Sequence, residues 1–437
     1  MPDHATSADP AVQRQFDRLA ALSPGADILG LERISALLER VGNPQDRLPP
    51  VLHVAGTNGK GSTCAFLRAG LEAAGYSCHV YSSPHLVRFN ERIRLAGTLI
   101  DDAQLAALIE EVLDAGGDIG ASFFEVTTAV AFLAFARTPA DACIIEVGLG
   151  GRLDATNVIA EPIVTGIAQL GIDHERFLGS DIEGIAAEKA GIAKPHVPLV
   201  TMRYPAKVEA RIAGVARTAG APIAAEGGHW FWAADEAHVT YRDAAGRVVT
   251  PLPALAGSHQ RANLALAIAM LRHQRALTIP PEAYVAAAEH AIWPARLQKL
   301  SAGPLTTKLP GRTVLVDGGH NADAAQAIAA ALAGSAPFDL IFGLMKNRKI
   351  ADVLGPIAPL VRKAHVVPLT GHEHHDPRDV AMFAQARSAP RHCYPAVSLE
   401  QAVDRLATDE EGAPTVLIAG SLYLAGEALV ANDEAPV

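Results

Sequence analysis

The stretch Val51-Leu52-His53-Val54-Ala55-Gly56-Thr57-Asn58-Gly59-Lys60-Gly61-Ser62 decides how the chain is read. The apolar run from Val51 to Ala55 makes a buried strand, and Gly56, Gly59 and Gly61 let the backbone curl so that its N–H groups point inward. Ser62 to Ala74 continue as an apolar-periodic helix. A triphosphate on that helix's N-terminus would meet the positive end of the helix dipole, with the Lys60 ammonium as a mobile counter-charge. Measured against the G-x-x-x-x-G-K-[ST] pattern, Val54 stands where the first glycine belongs, and Gly61 separates Lys60 from Ser62. By itself the loop also fits an ordinary glycine-rich turn with a solvent-facing lysine, so the rest of the chain has to decide.

The 437 residues exceed what one compact core holds and imply two domains. A hydrophobic fraction of 49% with 19% charged residues describes a soluble globular chain, and a net charge of −10 supplies no attraction for nucleic acid or an anionic membrane. Small ligands are expected. Cys64, Cys78, Cys143 and Cys393 are scattered, form no C-x-x-C pair and imply reduced thiols. The N-terminal stretch carries Asp3, Asp9 and Asp17 with no apolar h-region, and no apolar run reaches the roughly 20 residues a bilayer needs. A cytoplasmic monomer is expected.

After a mobile start, Ile28 to Ile34 lead into a helix ending near Gly42-Asn43-Pro44. The periodicity then predicts strands at Cys78–Tyr81, Ala142–Val147, Ile163–Ala168 and Pro198–Thr201. Helices are predicted at Asp101–Ala115, Val126–Arg137, Ile182–Ile192, Ala206–Gly220, Gln260–Arg275 and Pro281–Ala291. This βα rhythm is that of a parallel sheet covered on both faces. Ser301 to Arg312, rich in Gly and Pro, is the best linker. Beyond it the rhythm restarts at Thr313–Val316, Leu340–Phe342, His365–Pro368 and Thr415–Ile418 as a second, smaller α/β domain. The boundary is set at 299/300.

Magnesium accompanies nucleotide triphosphates and prefers a few hard oxygen ligands while keeping waters. Ser83, Glu146 and His174 each lie at or after the end of a strand that could neighbour the loop strand, and they fit that role. Taken singly, His174 also reads as a surface histidine and Glu146 as half of a structural ion pair.

An ordered series of motifs extends the loop across the chain. It runs Ser82-Ser83-Pro84-His85-Leu86, Phe124-Glu125, Glu146-Val147-Gly148-Leu149-Gly150-Gly151-Arg152-Leu153-Asp154-Ala155-Thr156-Asn157 and Glu188-Lys189-Ala190-Gly191-Ile192. It continues with His259-Gln260-Arg261-Ala262-Asn263, Trp293-Pro294-Ala295-Arg296, Asp317-Gly318-Gly319-His320-Asn321 and Gly420-Ser421-Leu422. With this series the chain resembles the Mur-type ATP-dependent amide ligases, and within them the dihydrofolate/folylpolyglutamate synthases.

The resemblance implies an α/β fold: a P-loop NTPase-like N-terminal domain of the Mur ligase central-domain type, with a parallel-rich sheet, and a smaller Rossmann-like C-terminal domain. It implies that Ser83, Glu146, His174 and Lys189 hold magnesium, with two ions expected. Gly56, Thr57, Asn58, Gly59, Lys60, Gly61 and Ser62, with Asn263, Arg296 and Asp317, would hold ATP. His320 would join Lys60, Lys189, His174 and Glu146 in catalysis. The active site would lie in a cleft between the domains. The pterin would lie near Ser122, Phe123, Phe124 and Glu125 and near Leu153, Asp154 and Ala155, with an aromatic face stacking on the ring and Asp154 accepting its N–H groups. Lys189 by pattern alone is a helix-surface lysine; in the family the matching lysine is carbamylated, so N6-carboxylysine is expected here.

The activity implied is addition of L-glutamate to dihydropteroate and to the γ-carboxylate of reduced folates through an acyl phosphate, releasing ADP and phosphate. Two alternatives remain: a Mur-type ligase acting on a UDP-linked cell-wall precursor, and a non-catalytic ATP-regulated binding protein. The family's UDP-precursor ligases carry an additional N-terminal domain for which little chain precedes the loop. Three departures stand out. Ala295 replaces the usual Gly, Asn347-Arg348 replaces an Asp-Lys pair after Gly343-Leu344-Met345, and His372-Glu373-His374-His375 has no family counterpart. This last cluster reads as a solvated polar loop more readily than as a metal site.

Overall fold

The computed structural model describes residues 5–22, 29–335, 337–387, 390 and 392–436, so Ile28, the start of the predicted lead-in, lies outside the described residues. By its contacts the chain divides into two compact units, one of residues up to 254 with 261–292, the other of 255–260 with 293–436.

The first unit is built on an eight-stranded sheet. Its strands are β1 (Val51–Ala55), β2 (Cys78–Tyr81), β3 (Ile93–Leu95), β4 (Thr98–Leu99), β5 (Ala142–Glu146), β6 (Val164–Ile167), β7 (Leu199–Thr201) and β8 (Ile223–Ala225). They lie in the order β4-β3-β2-β5-β1-β6-β7-β8, and only β3 runs against the others, so that its pairings with β2 and β4 are antiparallel. Strands β1, β2, β5 and β6 are buried along their whole length, which is why they read as continuous apolar runs and not as alternating ones. Topology does the positioning. β1 sits between β5 and β6 with Val54 level with Glu146 and Ala55 level with Ile167, so the loops leaving β2, β5, β1 and β6 emerge side by side.

Two parts of this unit differ from the expectation. The start read as mobile carries a helix, Pro10–Leu22, whose Val12, Phe16 and Leu19 are buried at helical spacing in the core shared with Ile34, Leu37 and Val112. Residues 230–251, predicted as neither helix nor strand, form an antiparallel sheet of β9 (Trp230–Ala234), β10 (His238–Asp243) and β11 (Gly246–Pro251). Arg272, on the helix His259–His273, ties it down through Asp243 at 2.7 and 2.6 Å.

The second unit holds β12 (Gln298–Lys299), β13 (Thr313–Val316), β14 (Phe338–Phe342), β15 (Val361–Val366), β16 (His392–Pro395) and β17 (Thr415–Ala419). The order is β12-β13-β17-β14-β15-β16, parallel except for β12. Leu340, Phe342, Ile328, Val353, Val380 and Leu417 fill one side of it. Asp339 of β14 is fully buried and accepts from Arg362 at 2.8 Å, Arg312 at 3.3 Å and the Ala413 N–H at 3.1 Å.

The segment Ser301 to Arg312 is not a linker. It contains a short helix, Pro304–Thr307, buries Leu305 and Leu309, and is bonded to Asn432 through the Thr306 N–H at 3.1 Å. Its two glycines and two prolines shape a packed turn. The division falls at 292/293 because Gln298 and Lys299 already pair with Val316 and Leu315 of the second sheet.

Candidate active site

The phosphate loop opens the helix Lys60–Ala73. Gly59 adopts φ +81°, and a Cβ there would collide with Asn263 Oδ1, so the position demands glycine and also brings Asn263 onto the loop. Four N–H groups at a helix start have no intrahelical acceptor, and here they belong to the turn that begins at Lys60. The Lys60 ammonium donates to Thr57 O at 3.3 Å and lies 3.9 Å from Glu146 Oε1, with both side chains largely buried. An acid inside an apolar strand needs a partner, and Lys60 is one.

Lys189 is brought to the same place from the helix Ile182–Ala190. Its Nζ donates to Gly56 O at 3.0 Å. The helix is clamped by the turn after β5. Arg152 N donates to Glu188 O at 2.7 Å, Arg152 pairs with the Glu188 carboxylate at 2.9 Å, and a Cβ on Gly151 would stand 2.6 Å from Glu188 O. Burial first, and then the nearby Lys60 charge, lower the Lys189 pKa to about 7 against the opposing pull of Asp173 and Asp154.

His174 follows β6 in a left-handed conformation, φ +52°, and is exposed. Its N–H donates to the buried Asp173 at 2.7 Å. Ser83, half-buried, follows β2. Among the described residues no three His, Cys, Asp or Glu side chains gather as a ready metal cluster. Magnesium does not require one, since it is held by one or two protein carboxylates, substrate phosphates and waters. A hydroxyl, a buried carboxylate and an imidazole at the ends of neighbouring strands fit that pattern.

The residues assigned to the pterin are less uniform. Ser122 and Glu125 form a capping box on the helix Phe123–Arg137, with Ser122 N to Glu125 Oε2 at 2.7 Å and Glu125 N to Ser122 Oγ at 3.3 Å, and Arg33 also donates to Glu125 at 3.1 Å. Phe123 is buried among Phe16 and Phe89. Phe124 is the half-buried ring of the group; it lies against Gly148 and stacks on Tyr81 at 6.0 Å. Leu153 is half-buried and Ala155 is buried in the core.

Asp154 also has a structural use. Its carboxylate accepts from Leu149 N at 2.8 Å, Thr156 N at 3.0 Å and Thr156 Oγ1 at 2.5 Å, and the Gly148 amide also contributes. Those donors make it shape the 148–156 turn. Thr156 in turn contacts the buried His53 at 2.9 Å, whose pKa burial lowers to about 3.

In the second unit Asp317 is buried and receives Leu297 N at 2.8 Å and Gly319 N at 2.7 Å. Burial raises its pKa and the Arg296 charge opposes the rise. Arg296 donates to Ala295 O at 3.0 Å, and His320 Nδ1 lies 3.1 Å from Gly318 O. Ala295 and Leu297 flank Arg296 with φ of +55° and +45°. His372-Glu373-His374-His375 is folded onto the loop after β14. His375 Nε2 lies 2.7 Å from Arg348 O, and the His372 ring stacks on Tyr423 at 3.5 Å.

Sequence reasoning missed two contributors. Tyr204 places its hydroxyl 2.8 Å from both Ile167 O and Ala168 O at the end of β6, and Asp173 holds the His174 backbone. Asp173 could have been found from its adjacency to His174. Tyr204 could not, because its role depends on the β6–β7 pairing.

Residues 304–422 match the family described as Mur ligase, glutamate ligase domain. Over 412 residues the chain is 34% identical to the dihydrofolate synthase/folylpolyglutamate synthase of Escherichia coli (strain K12), covering 93% of this chain and 92% of that protein. The structure of E. coli FolC in complex with DHPP and ADP superposes with a TM-score of 0.86 at 32% identity and covers 97% of each chain. A bifunctional folylpolyglutamate synthase/dihydrofolate synthase with Mn, AMPPNP and L-glutamate bound gives 0.83 at 29% identity, covering 98% of this chain and 99% of that one.

Proposed function

This chain belongs to the dihydrofolate synthase/folylpolyglutamate synthase family of Mur-type ligases, and from that membership we infer that it is an ATP-dependent ligase adding L-glutamate to dihydropteroate and to the γ-carboxylate of reduced folates. The observation that carries the reading is the Lys60 ammonium 3.9 Å from the buried Glu146 carboxylate, at a helix start between the ends of neighbouring parallel strands. The cell-wall-precursor and regulatory-binder readings are set aside by the shared family and by relatives of matching length.

A carboxylate is a poor electrophile. An oxygen of the acceptor carboxylate therefore attacks the γ-phosphorus of ATP and ADP leaves; the glutamate amine then attacks the acyl carbon, phosphate departs and the amine gives up a proton. The chain's part is positional and electrostatic. Lys60 and the first-turn N–H groups hold the phosphates, and Asn263 lies at the loop. Phe124 offers the aromatic face for the pterin. Ser83, Glu146 and His174 would hold magnesium, which when bound neutralises charge on the phosphoryl oxygens.

Lys189 is read as an N6-carboxylysine. Uptake of CO2 by a lysine needs the neutral amine, which attacks the carbon to give a carbamate and release a proton. Burial and the neighbouring Lys60 favour that neutral form.

The assay is incubation with ATP, magnesium and glutamate plus dihydropteroate or tetrahydrofolate separately, with products identified by mass. One added glutamate per phosphate released is the expected result. Phosphate release that ignores glutamate overturns the reading.

A further inference from the structure

The sequence reads Gly56 to Ser62 as one nucleotide-binding unit, but the hydrogen bonds divide it. The Thr57 hydroxyl donates to Gly171 O at 3.0 Å and accepts from Gly171 N at 3.1 Å. Thr57 N and Asn58 N both donate to Gln169 O, at 2.8 and 3.1 Å. Just before them, Ala168 N donates to Ala55 O at 2.8 Å and continues the β1–β6 ladder beyond the sheet. Phosphate oxygens only accept. A hydroxyl has one proton, and here it is committed to Gly171, as are the two amide protons to Gln169.

What these bonds grip is the segment that carries His174. Gly171 is buried, and from it the chain runs through Asp173, whose carboxylate holds the His174 N–H at 2.7 Å. His174 sits in a left-handed conformation that such a support must maintain.

We propose that Thr57 is a positioning residue and not a nucleotide ligand: its side chain and the Thr57 and Asn58 amides lock the phosphate loop to the Gln169–His174 loop, fixing the imidazole relative to the phosphate-holding turn. The phosphate-facing donors are then confined to Gly59 through Ser62. The inference rests on the reading of His174 as a metal ligand, and groups behind a metal ligand typically change metal affinity about 10- to 100-fold when removed.

The test compares wild type, Thr57→Val, Thr57→Ser and His174→Ala. Amide exchange on metal-free, nucleotide-free protein reads the lock directly. The Thr57, Asn58 and Gly171 amides are expected to lose protection in Thr57→Val and keep it in Thr57→Ser. Unchanged protection in Thr57→Val overturns the lock. Paramagnetic titration with Mn2+ in the presence of ADP reads the consequence. Thr57→Val weakens Mn2+ binding about tenfold while ADP affinity without metal stays within about twofold, and Thr57→Ser restores both. A metal-free loss of ADP affinity as large as the Mn2+ loss makes Thr57 a nucleotide ligand and sinks the proposal. If His174→Ala leaves Mn2+ binding intact, the metal reading of His174 fails, whatever the exchange data say about the lock.

Discussion

Lys189 Nζ and the carbonyl oxygen of Gly56 are joined by a 3.0 Å hydrogen bond, which seats a buried amine against the first residue of the phosphate loop. The geometry explains how a lysine from a distant helix comes to serve the loop, and it leads to a pH dependence. The amine takes up CO2 only when neutral, and its pKa is lowered to about 7. Carbamate content, followed by NMR with labelled bicarbonate, is therefore expected to rise from pH 6 to pH 8. Lys189→Ala is expected to lose activity that acetate partly restores. A resonance absent at every pH would remove the modification.

Lys60→Ala is expected to lower kcat/KM for ATP by about 10³-fold, roughly 4 kcal/mol of transition-state stabilisation. The side chain is also the partner of the buried Glu146 carboxylate, so the thermal midpoint is expected to fall by several degrees as well. Steady-state kinetics with a melting curve checks both. A near-normal rate contradicts the assignment of the loop.

Asp154→Ala is expected to destabilise the protein by about 2–3 kcal/mol, because it strands the Leu149 and Thr156 donors in a buried turn. Urea denaturation measures this. If stability holds and only dihydropteroate use falls, the carboxylate faces the substrate after all.

His365 is buried on β15, and burial together with the Arg405 and Lys363 charges lowers its pKa to about 4, against the opposing pull of Asp339 and Asp409. An unfolded histidine titrates near 6.5. Between those values the unfolded chain binds the extra proton, so this contribution to stability is complete above about 6.5 and is lost as pH falls toward about 4. Denaturation midpoints at pH 5 and pH 7 are expected to differ less in His365→Phe than in wild type. Equal differences would assign the acid sensitivity elsewhere.

Ala295 occupies a left-handed position at φ +55° where the resembling family has glycine. The strain is about 1 kcal/mol, partly offset by the greater freedom glycine has when unfolded. Ala295→Gly is expected to be neutral or to stabilise by up to about 1 kcal/mol, as read by chemical denaturation. A loss of more than that would mean the methyl group, which is fully buried, packs productively.

The strands that build the site were legible because each is buried on both faces, so composition alone marked Val51–Ala55 and Ala142–Glu146. The helix Pro10–Leu22 was passed over because its apolar positions are sparse, with Val12, Phe16 and Leu19 set among Gln, Arg and Asp. The 230–251 sheet escaped because Phe231 and Val249 break the alternation by facing outward. Around the candidate site, residue types and spacing were readable and hydrogen-bond partners were not. That Thr57 meets Gly171 and Asp154 meets Leu149 depends on strand order and turn geometry, which no local spacing encodes.

Asp339 has a consequence for how such a chain can change over generations. Three segments of the second unit converge on this one buried carboxylate, through Arg312, Arg362 and the Ala413 amide. Losing one arginine leaves the acid paired with the other, but losing the acid first takes the acceptor from Arg312 and the Ala413 amide at once while Arg362 keeps Asp409, a penalty of about 3–5 kcal/mol. Descendants are therefore expected to keep the acid for as long as either arginine remains. Reconstructed ancestors of this lineage are expected to show an arginine changing before the acid does.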